Sequence, residues 1–207
     1  MPQPPRHSQA AAARMPCPPT YSEAAAAQAS DPEVLLLGDG TEIQIRSLMP
    51  RDRAGVAALF SRLSSESRYR RFLAPKRELS ERELVFFTDV DHVMHEALAA
   101  IDQRDGSLVG VARYVQYIDT PRVAAVAFEV ADERQRLGIG TALLQRLLSR
   151  ARHNGLDRLS ATTRWENLPA RALLRRFGFR ARFSAGGELE LDLALRSSEQ
   201  PGPLPAA

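Results

Sequence analysis

Hydrophobic residues follow two different spacings along the chain, and stretches of one spacing alternate with stretches of the other. Residues 41–48 alternate apolar and polar positions, which predicts a strand with one buried face. Residues 140–154 carry leucines at 143, 144, 147 and 148, a spacing that predicts an amphipathic helix. The same patterns predict further strands at 95–102, 108–117, 123–130, 159–163, 179–183 and 189–195, and further helices at 52–64, 66–73, 80–88 and 167–177.

The order of these elements indicates the fold class. One strand is followed by three helices, three strands, a helix, a strand, a helix and two strands. The strand at 123–130 is almost wholly apolar, as expected in a sheet that is covered on both faces. We therefore predict a mixed sheet of about seven strands flanked by helices, of the α/β or α+β class.

Composition divides the chain into one domain and two tails. Residues 1–30 hold nine alanines and six prolines but no Val, Ile, Leu, Phe or Trp, so this segment cannot bury enough apolar surface to offset the entropy lost on ordering. We predict a disordered Ala/Pro-rich tail at 1–33, a single domain at 34–196 and a second disordered tail at 197–207.

Charge and hydropathy limit the expected partners. The formal net charge of the 207 residues is +3, which is compatible with a phosphate-bearing ligand and too small to predict nucleic-acid binding. No apolar run approaches the roughly 20 residues that span a bilayer, so no membrane segment is predicted. The expected location is the cytoplasm.

Individual residue types exclude some kinds of site. The one cysteine, Cys17, lies in the predicted N-terminal tail, which excludes a disulfide framework and a cysteine metal site. His92 and His95 are three residues apart, but no cluster of acids or cysteines completes a metal site around them, so no metal is predicted. Lys76 is the sole lysine among 28 basic residues.

A glycine-containing segment, residues 135–141 (QRLGIGT), precedes the predicted helix at 140–154 and is called the glycine loop below. Gly138 and Gly140 let the backbone approach a ligand closely, and the first turn of a helix offers unpaired amides at its positive end. The loop therefore predicts an anion site that fits a pyrophosphate. The alternative is a tight strand-to-helix turn without a ligand. A dinucleotide site is disfavoured because Leu143 stands at its third glycine position.

The glycine loop and a second motif together resemble one known family. Gln-x-x-Gly-x-Gly after an apolar strand is similar to the acyl-CoA pyrophosphate motif of the GNAT superfamily of N-acetyltransferases. Residues 167–179 (NLPARALLRRFGF) resemble that family's second motif, and the resemblance covers about 41–195. It implies a mostly antiparallel sheet that splays between the fourth and fifth predicted strands, at 123–130 and 159–163. It also implies an N-acetyltransferase that uses acetyl-CoA as cosubstrate and needs no metal.

Residues 63–72 (LSSESRYRRF) and 88–92 (TDVDH) resemble the catalytic domain of bacterial protein-lysine acetyltransferases, which modify acyl-CoA synthetases. This resemblance implies direct transfer to an amine, with a protein lysine as the first expectation and an acyl-CoA synthetase as a candidate partner. Two alternatives stay open: a small-molecule amine acceptor, or an acyl-CoA-binding sensor without turnover. The arginines at 68, 70 and 71 either form a solvated face or border the entrance for the acceptor.

The resemblance also implies a set of residues that hold the cosubstrate. The backbone of Phe128, Glu129 and Val130 is expected to hold the pantetheine arm, and the Asn167 side chain is expected to contact it. The pyrophosphate is expected on the backbone amides of Arg136, Leu137, Gly138, Ile139, Gly140 and Thr141.

The catalytic groups of the family are only partly present. The position of the frequent tyrosine acid holds Leu174, and the position of a common glutamate base holds Ala125. Glu129 lies on the same strand face, four residues beyond Ala125, and is the candidate general base because desolvation in an apolar run would raise its pKa. The alternatives for Glu129 are a salt bridge to an arginine of the neighbouring strand, such as Arg113, or exposure at the strand end.

Overall fold

The predicted alternation of strands and helices is confirmed in the computed structural model, which describes residues 32–195. The predicted tails at 1–33 and 197–207 lie outside the described residues, apart from positions 32 and 33. The strands are β1 (Glu33–Leu36), β2 (Glu42–Ser47), β3 (His95–Asp102), β4 (Leu108–Gln116), β5 (Val123–Val130), β6 (Arg158–Arg164), β7 (Arg180–Ala185) and β8 (Glu188–Ala194). The helices are α1 (Arg53–Arg62), α2 (Ser65–Phe72), α3 (Glu81–Thr88), α4 (Ile139–His153) and α5 (Leu168–Arg176).

The sheet contains eight strands rather than about seven. The additional strand is β1, which pairs antiparallel with β2 at one edge of the sheet. Val34 and Leu36 are 55% and 67% exposed, and only Leu35 packs, partly buried, against the core. The four residues of this edge strand therefore lack the alternation of apolar and polar positions that predicts a strand.

The strand order is β1-β2-β3-β4-β5-β6-β8-β7. Among the described strands every neighbouring pair is antiparallel except β5 and β6. β5 pairs with β4 along its whole length, but it pairs with β6 only at Val123, Ala124 and Ala125. Beyond Ala125 the two strands separate, as predicted, and the space between them is called the sheet gap below.

Helices cover the two faces of the sheet differently. The leucine stripe of α4 packs on one face, where it meets the even-numbered residues of β5 such as Val126. α1 and α3 lie on the other face, against Val111 of β4. Val111 is paired with Glu129, so the Glu129 side chain points to the α1–α3 face, because paired residues share a face.

A buried carboxylate fixes the approach to the glycine loop. Asp102, at the end of β3, is fully buried and accepts hydrogen bonds from Arg104 Nη2 and Arg134 Nη2, each at 2.8 Å. Arg134 belongs to the 3-10 turn Asp132–Arg134, which leads directly into the glycine loop. The hydrogen bond from Arg104 is the main cause that lowers the pKa of Asp102 to about 2.

We predict that Asp102→Asn lowers the free energy of unfolding at neutral pH by about 2 kcal/mol, since it weakens two charged hydrogen bonds. The folded-state pKa of Asp102 lies below the ordinary value of 3.8, so this stabilisation is present above pH 3.8 and is lost as the pH falls towards 2. Urea unfolding measured at neutral pH and near pH 3 checks this. Arg104→Gln, at a side chain that is 56% exposed, is the control and loses less. A difference between wild type and Asp102→Asn that does not change with pH would contradict the assignment.

Candidate active site at the sheet gap

The odd-numbered residues of β5 direct their backbone groups towards β4. The Val123 carbonyl accepts a hydrogen bond from Tyr117 N at 2.9 Å, and Ala131 N donates to the Val109 carbonyl at 2.9 Å. The register between the strands is unbroken from end to end. Because successive residues of a strand turn their N–H and C=O to opposite sides, the even-numbered residues face β6.

Beyond the pairing with β6, the Val126 carbonyl and the backbone groups of Phe128 and Val130 therefore point into the sheet gap. The Val130 carbonyl accepts from Gln135 Nε2 at 3.1 Å. Of the three residues predicted to hold the pantetheine arm, Phe128 and Val130 offer backbone groups at this edge. Glu129 offers none there, because its backbone faces β4.

The glycine loop closes the end of the sheet gap on the α4 face. Arg136 and Gly138 adopt positive φ angles of 62° and 96°, and the first hydrogen bond of α4 runs from Ala142 N to the Gly138 carbonyl. Within residues 32–195, the N–H groups at the six predicted pyrophosphate positions donate to no protein group, namely those of Arg136, Leu137, Gly138, Ile139, Gly140 and Thr141.

The space around the loop suits an anion. A Cβ built on Gly138 would meet no atom within 4 Å, so the backbone is open to a ligand at that point. A Cβ on Gly140 would lie 3.4 Å from Leu173 Cδ2, so the first turn of α4 packs closely on α5. Unpaired amides at the positive end of a 15-residue helix form a good pyrophosphate site.

Asn167 is the cap of α5. Its side-chain oxygen accepts a hydrogen bond from Ala170 N at 3.3 Å, so that oxygen is committed to the helix. The amide nitrogen of the same side chain has no partner among the described residues and remains a donor for the predicted contact with coenzyme A.

Glu129 lies on the opposite face of the sheet from the glycine loop and is nearly buried. Its Oε2 forms an ion pair with Nε of Arg71, on α2, and the two side chains are 12% and 13% exposed. The predicted alternative of an ion pair with Arg113 is wrong, because Arg113 Nη1 donates to the Phe87 carbonyl at 3.0 Å and its guanidinium lies over the Phe87 ring. Burial lowers the pKa of Arg113 to about 10, although the charge of Glu129 acts against that shift.

A small pocket lies beside the Glu129 carboxylate, between the sheet and helices α1, α2 and α3. All of its other lining residues are apolar. They are Val56, Leu59, Phe60, Leu63, Phe72, Leu79 and Phe87.

Asp132 joins α2 to the segment before the glycine loop. Its Oδ2 accepts from Ser64 N at 2.9 Å, and its Oδ1 accepts from Ser67 Oγ at 2.6 Å and from Gln135 Nε2 at 2.9 Å. Burial alone would raise the pKa of Asp132, but the hydrogen bonds from both serines outweigh it, so the pKa lies below its ordinary value. Sequence reasoning missed this connection. The sequence signal nearest to it is Ser64, which caps the N-terminus of α2.

α2 crosses the sheet gap on the face opposite to the glycine loop. Arg71 reaches Glu129 of β5, and the Tyr69 ring faces the guanidinium of Arg164 at the end of β6, 5.8 Å away. The other arginines of this helix are also engaged: Arg70 pairs with Glu66, and Arg68 donates to two backbone carbonyls.

Other candidate residues lie away from the sheet gap. Leu174 is 1% exposed within the main core, so it offers no acid to the site. His92 pairs with buried Glu96 at 2.7 Å, and His95 is buried beside Phe86, with a pKa well below 6.5, chiefly because of burial. Within the described residues, no three His, Cys, Asp or Glu side chains are close enough to hold a metal ion. None of the described helices is long and apolar enough to cross a membrane.

Comparisons with known proteins all point to acetyltransferases. The model of the acetyltransferase (GNAT) family matches residues 59–179. "Acetyltransferase PA5475" of Pseudomonas aeruginosa is 32% identical over 145 residues, which is 69% of this chain and 77% of that protein. "Acetyltransferase Pat" of Mycolicibacterium smegmatis is 30% identical over 142 residues, and the match spans 67% of this chain but 41% of that protein.

Solved structures agree with these relatives. The GNAT domain of S. lividans PAT has a TM-score of 0.72 at 27% identity, and the match covers 79% of this chain and 96% of that one. The structure of yncA from Salmonella typhimurium, solved with acetyl-CoA, has a TM-score of 0.62 at 17% identity and covers 78% of this chain and 99% of that one. The latter likeness shows the fold alone.

We predict that Gly138→Ala lowers the free energy of unfolding by about 1 kcal/mol, because an L side chain is disfavoured at a φ of 96° even where space is open. Gly140→Ala is the matched control. Its helical backbone favours alanine, and the added methyl group meets Leu173 at an ordinary distance, so we expect a change within about 0.5 kcal/mol. Urea unfolding measures both variants, and equal losses would contradict this account of the loop.

Proposed function

The chain belongs to the acetyltransferase (GNAT) family, and from that premise we propose that it transfers an acetyl group from acetyl-CoA directly to the side-chain amine of a protein lysine. One observation carries the proposal. The sheet gap lies between a loop of unpaired amides on one face and, on the other, the Glu129 carboxylate beneath α2. The cosubstrate would therefore bind from the glycine-loop face, and the acceptor amine would reach the thioester from the Glu129 face.

The residues around the sheet gap fit coenzyme A. The amides of the glycine loop would hold the pyrophosphate, and the free edge of β5 at Phe128 and Val130 would pair with the extended amide arm, as an added strand does. The amide nitrogen of Asn167 is a further donor. When bound, acetyl-CoA supplies a thioester, whose carbon–sulfur bond is exchanged for a carbon–nitrogen bond to the acceptor, with release of the thiol.

Glu129 is the proposed general base. An acceptor amine must lose a proton before it can attack, and a carboxylate within reach on the acceptor side can take that proton directly or through one water. Because Leu174 stands at the position of the family's tyrosine, no acid is available there to protonate the leaving thiolate. A thiol has an ordinary pKa of about 8.5, so its thiolate can leave without a protein donor.

Two observations favour a protein lysine as the acceptor. The relative named Pat and the GNAT domain of PAT are 30% and 27% identical to this chain, over 67% and 79% of its length. Glu129 is the one acid among the residues that line the small pocket beside it, which suits the single charge of lysine better than a polycationic small molecule. An acyl-CoA synthetase is the first partner to test. A cytoplasmic location stays a prediction, to be tested by cell fractionation.

We predict that Glu129→Gln lowers kcat for acetyl transfer by about 10²–10⁴-fold, the range for loss of a general base, and flattens the rise of rate with pH. Stabilisation by coenzyme A should be unchanged in a thermal unfolding assay. Glu133→Gln is the matched control, at an exposed glutamate on the adjoining turn. Release of the coenzyme A thiol is followed with an acyl-CoA synthetase and with a small polyamine as acceptors.

Each other outcome selects a different function. Activity with the polyamine alone would replace the protein acceptor by a small amine. Stabilisation by coenzyme A without turnover on any acceptor would favour an acyl-CoA sensor. No stabilisation by coenzyme A would overturn the proposed function, and an unchanged pH profile in Glu129→Gln would remove Glu129 as the base.

A further inference from the structure

We propose that the space beside Glu129 that the Arg71 guanidinium now fills is the subsite for the acceptor's ammonium group, and that the acceptor is a primary alkylamine on an unbranched stem. The inference rests on the proposed function, in which Glu129 takes the acceptor's proton. Arg71 Nε holds Oε2 of that carboxylate, and both side chains are nearly buried. An acceptor nitrogen that reaches the same oxygen must take the place of Arg71.

The surroundings of the Arg71 cation are those that a lysine would need. Its guanidinium lies over the Phe72 ring, with the charged carbon 4.9 Å from the ring centre. The pocket beside it is lined by apolar side chains, Leu63 and Phe60 among them. An aromatic face, an apolar wall and one carboxylate recognise a cation on an aliphatic stem. An amine branched at the carbon next to nitrogen has no slender stem that could pass between the aromatic ring and the apolar wall to the carboxylate.

Charge makes Arg71 and the acceptor mutually exclusive. Arg113 is fully charged at neutral pH and lies close enough to interact with both Glu129 and Arg71. Adding an ammonium would place three cations around one nearly buried carboxylate, an arrangement that desolvation and repulsion make costly. Arg113, which is buried on β4, is held by its hydrogen bond to the Phe87 carbonyl and by the Phe87 ring. Arg71 is therefore the cation that leaves.

Arg71 can leave without unfolding its helix. None of the eight residues of α2 is buried, and the Asp132 hydrogen bonds hold only its first turn. At the other end the Phe72 ring packs against Phe60, with ring centres 5.7 Å apart, and this contact keeps the aromatic wall in place. The movement we infer is therefore rotation of the Arg71 side chain to solvent.

The test removes the occupant and offers a small substitute. We expect Arg71→Ala to acetylate n-butylamine with a KM roughly tenfold below that of the wild type, which corresponds to about 1.4 kcal/mol of competing contact removed. The KM for tert-butylamine should be the same in Arg71→Ala as in the wild type. Ethylguanidinium should inhibit Arg71→Ala competitively against n-butylamine. Arg70→Ala is the matched control, because Arg70 is the adjacent arginine and pairs with Glu66 instead.

Two further variants keep the test decisive. Arg71→Gln retains a hydrogen-bond donor to Glu129 and is used if Arg71→Ala does not fold. Arg71→Lys retains the charge. If both Arg71→Ala and Arg71→Gln lose activity towards n-butylamine and Arg71→Lys restores it, Arg71 orients Glu129 and the subsite proposal is overturned. It is also overturned if the KM does not change while coenzyme A still stabilises the protein. Loss of that stabilisation in the wild type would instead overturn the proposed function.

Discussion

The separation of β5 from β6 beyond Ala125 is the constraint on which the rest of the site depends. It leaves the Val126 carbonyl and the backbone groups of Phe128 and Val130 without a neighbouring strand in the middle of an eight-stranded sheet. Unpaired backbone groups are costly when they are buried, so this edge must face water or a ligand. The protein satisfies one of them itself, by the bond from Gln135 to the Val130 carbonyl, and the same bond places the glycine loop at the end of the gap.

Polar contacts, rather than core packing, join the two faces of the site. Asp132 accepts hydrogen bonds from the start of α2 and from Gln135, so one carboxylate holds both α2 and the glycine loop. Asp102 fixes the same turn from the end of β3 through Arg134. A polar network of this kind sets positions accurately and stays close to solvent, which suits a place where ligands enter and leave.

Local chemistry was enough to predict the glycine loop and most of the sheet. The loop depends on Gly138 and on the start of a helix, which are adjacent in sequence, and the buried strands have continuous or alternating apolar positions. The prediction failed where burial is slight, at the edge strand β1, or where the partner residue is remote in sequence. Arg71 and Glu129 are 58 positions apart, so no local pattern could pair them, and the neighbouring-strand Arg113 was the nearer but wrong choice.

The two departures from the family pattern leave the proposed general base on one side of the sheet. Leu174 is packed into the core and Ala125 has no ionisable group, so neither α5 nor the paired part of β5 contributes to proton transfer. The carboxylate that remains on β5 is that of Glu129, and Arg71 and Arg113 lie near it on the α1–α3 face. Arg71 lies on a helix without buried residues, so in our proposal an amine reaches Glu129 only when Arg71 moves away.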